Sequence, residues 1–161
     1  MSMNNENLQK LIAELRRDEG VRYVVYKDTA KPPKDTTGVG HNLEAKPLPA
    51  GWKYPLNDVQ VNTLLDDDLE DVFHDLDRFL PWWRDLNDVR QRVMANLCFN
   101  MGITRLLGFV KALTAARQGK YGTSADELLN SAWASQVGIR DKNGNPGRAL
   151  RLANMMRTGV A

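Results

Sequence analysis

Asp18-Glu19-Gly20-Val21-Arg22-Tyr23-Val24-Val25-Tyr26-Lys27-Asp28, followed eight positions later by Thr36-Thr37-Gly38-Val39-Gly40-His41, is the stretch on which the reading of this chain turns. Just before it, Leu8, Leu11, Ile12 and Leu15 recur at the i, i+3, i+4, i+7 spacing of an amphipathic helix, and Gly20 suits the C-cap. Val21–Tyr26 is a run of β-branched and aromatic residues and predicts a strand. Lys27–Asp35, broken by Pro32-Pro33, predicts a turn, and Thr36–His41 a second strand with two glycines in it. Glu19 therefore falls at the end of a helix and Asp28 just beyond a strand. Two carboxyl groups held by different elements can be kept in opposite protonation states across a gap, the arrangement used in paired-acid hydrolysis.

Downstream, Pro47, Pro49, Gly51 and Pro55 mark a loop. From Asn57 a long helix is predicted to Leu80, with Val61, Leu64, Leu65, Leu69, Val72, Phe73, Leu76 and Leu80 on one face and an acidic face from Asp66 to Asp77. At 1.5 Å per residue it would span about 35 Å, enough to link two lobes. Pro81 stops it and Trp82-Trp83 form a corner. Asn87 is a good N-cap for a helix to Met101 that is apolar nearly all round and so central and buried. The helical pattern continues through Leu106, Leu107, Phe109, Val110 and Leu113 to near Gly119. Ser124 and Glu127 have capping-box spacing for a helix to about Ser135, and Asp141–Gly147 reads as a loop. Pro146 suits the first turn of a last helix holding Leu150, Leu152, Met155 and Met156. The fold class is α+β, a single domain over 1–161. Its small helix-and-hairpin lobe covers about 16–56, a linking helix about 57–80, and a helical lobe about 81–161 together with the N-terminal helix.

The chain has 161 residues, 42% hydrophobic and 26% charged, which excludes collagen-like, disordered and disulfide-rich classes. Net charge is +2, but residues 1–80 carry 10 Lys/Arg against 15 Asp/Glu and residues 81–161 carry 12 against 5. The second half is basic and points to an anionic partner. Its cations are spread from Arg84 to Arg157 and form no single stripe, which argues against nucleic acid. Cys98 is alone and lies in an apolar run, as a buried inert thiol does. The N-terminus is polar, with no export signal and no segment long enough to insert stably in a membrane. Two histidines and scattered acids make no metal-ligand spacing.

With Asp18-Glu19-Gly20, Tyr26-Lys27-Asp28-Thr29 and Thr36-Thr37-Gly38-Val39-Gly40-His41 in this order, the chain resembles the phage-type lysozymes, glycoside hydrolase family twenty-four. The similarity continues through Asp88-Val89-Arg90, Phe99-Asn100-Met101-Gly102, Gly108-Phe109, Trp133, Gly147-Arg148-Ala149 and Arg157-Thr158-Gly159. The resemblance implies a lysozyme-like fold and a muramidase that cleaves the β-1,4 bond between N-acetylmuramic acid and N-acetylglucosamine in bacterial peptidoglycan, with inversion. It implies Glu19 as general acid, Asp28 as the residue that holds or activates the attacking water, and Thr36 as a second holder of that water. The two carboxyl groups are then expected about 6.5–9.5 Å apart, leaving room for the water. Asp28 and Thr36 stand about two positions further apart than in the family, through the insert Lys31–Asp35, which makes Asp35 a rival base and Thr37 a rival hydroxyl.

The resemblance also places Asn42, Phe99 and Asn100 along the substrate cleft. Ala112 and Glu127 occupy cleft positions but differ from the family type, and Trp133 and Arg148 match structural positions. It pairs His41 with a carboxylate of the long helix, Asp68 first. No cofactor or metal is implied. The setting it implies is an endolysin for host cell lysis, a monomer that stays in the host cytoplasm until a holin opens a route to the wall. The alternative is a non-catalytic, wall-binding relative, and a tail-associated or bacteriocin setting stays open.

Overall fold

The computed structural model describes residues 3–161; the first two residues of the polar N-terminus lie outside the described residues. Helix α1, Asn5–Glu19, opens with the Asn4 side chain accepting the Asn7 N–H at 2.9 Å and closes on Gly20, whose N–H bonds Arg16 O. Leu11 and Leu15 are wholly buried, as the period predicts. Strands β1, Arg22–Lys27, β2, Asp35–Gly38, and β3, His41–Asn42, form an antiparallel sheet in that order.

The second predicted strand is corrected here: Thr36–His41 is not continuous. Gly38 and Gly40 take φ of 63° and 62°, a region closed to most L-residues, so the chain turns back at once. His41 then pairs with Thr37 and Asn42 with Thr36, and what the sequence suggested as a hairpin is a three-stranded sheet.

His41 is 2% exposed and its two ring nitrogens meet acceptors, Nδ1 with Asp68 Oδ2 at 2.7 Å and Nε2 with Lys46 O at 2.8 Å. The Lys46 ammonium pairs with Asp71 and lies 3.7 Å from Asp68. Burial alone would lower the imidazole's proton affinity; the Asp68 hydrogen bond and charge and the Lys46 carbonyl outweigh it, and the value is raised above 6.5. Because the folded value lies above the unfolded one, this stabilisation is complete below about pH 6.5 and is lost as pH rises through the folded value. Asp68→Asn is expected to lower stability by about 1.5–3 kcal/mol at acidic pH, a gap that narrows as pH rises past the folded value. Urea titrations over that range check it, and a pH-independent gap would show that the pair is not charged.

Helix α2, Asp58–Phe79, starts with a reciprocal cap: Gln60 N–H donates to Asn57 Oδ1 at 2.8 Å and Asn57 N–H to Gln60 Oε1 at 3.0 Å. Its predicted apolar face is buried from Val61 to Leu76, and Asp66, Asp67, Glu70 and Asp71 are exposed. The helix carries the chain from one compact unit, which runs to Asp71, into a second, Val72–Ala161.

In the second unit Pro81–Asp85 is a 3-10 turn in which Trp83 is fully buried, stacks on Phe73 at 5.9 Å and donates its indole N–H to Asp77 at 2.8 Å. Helix α3, Asp88–Met101, is capped by Asn87 and buried from Arg92 through Cys98, the central helix the sequence predicts. Burial, with the charge of Asp75 beside it, pushes the Cys98 thiol up to about 12, which leaves it no nucleophile.

Three expectations are corrected. The pattern after Gly102 is two helices, α4, Ile103–Leu107, and α5, Val110–Arg117, because Gly108 and the non-helical Phe109 (φ −82°, ψ 55°) break it. Ser124 caps nothing: it lies inside α6, Tyr121–Leu129, buried, and donates to Ala112 O at 2.8 Å, while Ser131 caps a separate α7, Ala132–Val137. Pro146 precedes the last helix, bridged to Arg140, and α8, Arg148–Thr158, is capped by Gly147. A Cβ at Gly147 would collide with the Gly138 carbonyl, so close backbone contact requires glycine there. Around α8 pack α3, α6 and α7, with α5 against α6.

Candidate active site

Glu19 is the last residue of α1 and is half-buried. The end of α1 is tied to the start of α2 by Arg16, whose guanidinium bonds Asn62 at 3.1 Å and lies 3.9 Å from Asp58. Tyr23 of β1 donates to the same Asp58 at 2.6 Å, and Leu56 N–H bonds Tyr23 O at 2.8 Å. Helix end and strand start therefore share one anchor. The preceding acid, Asp18, has a buried side chain, 1% exposed, that accepts from Arg17 Nε at 3.2 Å.

The Glu19 side chain fills the space that a Cβ at Gly40 would take. A Cβ there would stand 2.8 Å from Glu19 Oε1 and 3.3 Å from its Cδ. Two demands thus fall on one residue, positive φ and no side chain. Gly40→Ala is expected to cost about 1–2 kcal/mol for the left-handed backbone alone. By displacing Glu19 it should also lower any activity that depends on that carboxyl by at least about tenfold. Thermal melts and turnover check both effects, and activity within twofold of wild type would show that the carboxyl moves aside without consequence.

Asp28 and Thr36 converge on the backbone of Lys34. Asp28 Oδ1 accepts Lys34 N–H at 2.8 Å and Ala30 N–H at 3.0 Å, and Asp28 N–H returns to Lys34 O at 3.0 Å. Thr36 Oγ1, in a residue 3% exposed, donates to that same Lys34 O at 2.9 Å. The longer turn folds around the aspartate, and its backbone supplies the donors that orient the carboxylate.

The two rivals are engaged elsewhere. Asp35 pairs with the Lys27 ammonium at 2.7 Å, and Thr37, fully buried, donates to Val24 O at 3.0 Å.

Tyr26 and Gly40 are the site residues that reasoning from the sequence missed. Tyr26 is the cross-strand partner of Thr36 and half-buried, with the Arg22 guanidinium 4.9 Å from its ring centre. Burial and the Glu19 and Asp28 carboxylates push its phenol up, against the pull of Arg22 and of a hydrogen bond from the Gly40 backbone. The available signal was its position two residues before Asp28, near the end of the predicted strand.

Of the residues read as cleft-lining, Asn42 is exposed and its side-chain oxygen accepts Glu44 N–H at 2.9 Å and Ala45 N–H at 3.2 Å, so it shapes the turn after β3. In the second unit Phe99 and Asn100 are half-buried at the end of α3. Asn100 accepts the Trp133 indole N–H at 2.7 Å. Trp133, itself 1% exposed, lines a cavity of about 550 Å³ with Arg105, Phe109, Lys111, Glu127 and Asn130. Arg148 is buried and clasps Asn96 Oδ1 through Nε at 3.0 Å and an Nη at 2.8 Å. Among the described residues no three of His, Cys, Asp and Glu are grouped to hold a metal ion.

A family model described as phage lysozyme matches residues 16–148, a span that contains Glu19, Asp28, Thr36 and the Lys34 turn. The chain belongs to the phage lysozyme family. Its helices and single small sheet are the α+β, lysozyme-like architecture expected of that family. Among curated proteins it is 28% identical to the pre-baseplate central spike protein Gp5 of Enterobacteria phage T4, over 96% of this chain but 29% of that protein. The chain thus spans under a third of that relative's length. It is 25% and 26% identical to the probable T4-type lysozymes 1 and 2 of Dictyostelium discoideum, over 91% of this chain and 92% of each relative.

Proposed function

We propose that this member of the phage lysozyme family is a muramidase that hydrolyses the β-1,4 bond between N-acetylmuramic acid and N-acetylglucosamine in peptidoglycan with inversion. The observation that carries the reading is the convergence of Asp28 and Thr36 on Lys34. The Thr36 hydroxyl has given its hydrogen to Lys34 O, so toward a water it is an acceptor, and so is the Asp28 carboxylate. A water that donates one hydrogen to each turns a lone pair outward, toward an anomeric carbon. As its oxygen bonds to that carbon, Asp28 takes the water's proton, the glycosidic C–O bond breaks, and Glu19 delivers its proton to the departing oxygen. Asn42, Phe99 and Asn100 are the proposed sugar-binding residues, Asn42 through its amide hydrogens.

The basic second half suits an anionic wall, where a positive lobe raises the encounter rate in a salt-dependent way. The biological setting proposed is host cell lysis, by a monomeric endolysin that is held in the host cytoplasm and needs a holin's lesion to reach the wall. No described helix is long and apolar enough to cross a membrane. The spike-protein relative favours a second setting, in which the same glycosidase serves as part of a larger virion protein.

Purified peptidoglycan with wild-type chain, followed by NMR of the products, tests the chemistry. Reducing muramic acid ends released first as the α-anomer are expected. A β-anomer would replace inversion by retention, and binding without release would replace the enzyme by a wall-binding protein.

A further inference from the structure

Both backbone groups of Lys34 are held between Asp28 and Thr36. Its N–H donates to Asp28 Oδ1 at 2.8 Å, and its carbonyl accepts the Asp28 N–H at 3.0 Å and the Thr36 hydroxyl at 2.9 Å. Pro32 and Pro33, each with a locked φ, stiffen the chain just before it. What is left to move is the side chain, an ammonium on a flexible four-carbon stem. Lys34 is half-buried and Lys31 exposed, and neither ammonium makes an ion pair among the described residues. This is out of pattern for the acidic half of the chain, where residues 1–80 carry 15 Asp/Glu against 10 Lys/Arg. Other cations there do find acids: Lys27 pairs with Asp35 in the same turn, and Lys46 with Asp68 and Asp71. The turn that orients the Asp28 carboxylate thus carries two ammonium groups that the protein's own surplus of carboxylates leaves without an anion.

We propose that Lys34 is a specificity-determining residue of this site, whose ammonium, with Lys31 as a second cation, takes a carboxylate borne on the lactyl arm of the muramic residue. This rests on the muramidase reading and narrows it. In that reading the attacked carbon is C1 of the muramic residue, and the lactyl arm hangs from C3 of the same ring. A water held by Asp28 and Thr36 at C1 brings that arm into the neighbourhood of the residue whose backbone joins the two. The same chemistry has two sources: the lactate's own carboxylate in peptide-free glycan, and a carboxylate of the stem peptide where the lactate is amide-linked. A lysine suits either, since its three donors turn freely on the stem and need no planar match. N-acetylglucosamine carries no carboxylate, so the contact tells the two sugars apart.

The test uses the full chain carrying Glu19→Gln, so that glycan is bound and not cut, and reads Kd by calorimetry for soluble glycan fragments with and without stem peptides. Each is compared with the same fragments amidated by ammonium ion and a carbodiimide, which removes carboxylate charge and leaves amines in place. Unmodified fragments should bind about tenfold more tightly than amidated ones, a preference that Lys34→Met and Lys34→Gln should each cut to about twofold or less and Lys34→Arg should keep. Lys142→Met removes the same charge from an exposed loop of the second unit and should keep the preference, which separates a local contact from the general attraction of the basic half. A preference present already in peptide-free fragments assigns the lactate carboxylate, and one confined to peptide-bearing fragments assigns the peptide's. Equal Kd values before and after amidation, a preference that survives in Lys34→Met, or one lost equally in Lys142→Met overturns the proposal. If wild type released no reducing ends, the muramidase reading would fall, while the Kd values would still decide whether Lys34 reads a carboxylate.

Discussion

Glu19→Gln is expected to fold as wild type and to release reducing ends from peptidoglycan about a thousandfold more slowly, or not detectably. The two side chains have the same shape, so the introduced amide fits the same space beside Gly40 as the carboxyl does. What is lost is the transferable proton. Without it the departing sugar leaves as an alkoxide, and the neighbouring acid is not placed to correct this. Asp18 is that neighbour, and its carboxylate is buried and bound to Arg17. Circular dichroism establishes the fold and a reducing-end assay the rate. Activity within tenfold of wild type would mean that Glu19 is not the acid.

Asp28→Asn should cost about a hundredfold to a thousandfold in the same assay. Here the argument turns on which atom carries which duty. Oδ1 accepts two backbone N–H groups, from Lys34 and Ala30, and an amide oxygen accepts them equally well, so the turn keeps its form. The change falls on the charge. An amide takes no proton from an attacking water, and its NH2 meets the water's hydrogens with hydrogens of its own. Far-UV spectra and melting temperature should therefore stay close to wild type while turnover falls. If turnover stayed within fivefold, the base would lie elsewhere, and Lys27→Ala, which frees Asp35, would be the next variant to make.

The Gly40 and Asp68 variants separate the site from its support. Gly40 touches the proposed acid directly, whereas Asp68 acts through His41, which closes β3 against β2 at Thr37 and so steadies the turn that contains Gly40. A loss of stability without loss of kcat is the expected signature of Asp68→Asn, and loss of both that of Gly40→Ala.

Much of the fold was legible because burial repeats. In α1, α2 and α3 the apolar residues return with the helical period, Asn57 and Asn87 announce the starts, and Gly20 announces an end, all information local to a few residues. The candidate acids were legible for a different reason, their place at the junctions between elements. Where the reading missed, the deciding partner lay far along the chain. Ser124 has the spacing of a cap, but its hydroxyl is taken by Ala112 O, twelve residues away. Pro146 has the propensity for a first helical turn, but the contact of Gly147 with the Gly138 carbonyl sets where α8 begins. Thr36–His41 has strand composition, but a turn forms at the two glycines and His41 is drawn to Asp68.

The sequence by itself determined helices α1, α2 and α3, the order of the acids and the hydroxyl, and the sign of charge in each half, because helical period, turn propensity and ionisation are properties of residues and their near neighbours. Only the tertiary structure decided that Lys34 joins Asp28 to Thr36, that Gly40 meets Glu19, and that Asp35 and Thr37 are occupied elsewhere. Each of these is a hydrogen bond or a steric exclusion set by distances of a few ångströms between atoms on different elements. No local pattern encodes such distances, and the packing of α1 and β1 on α2 through Arg16, Tyr23 and Asp58 is what brings them about.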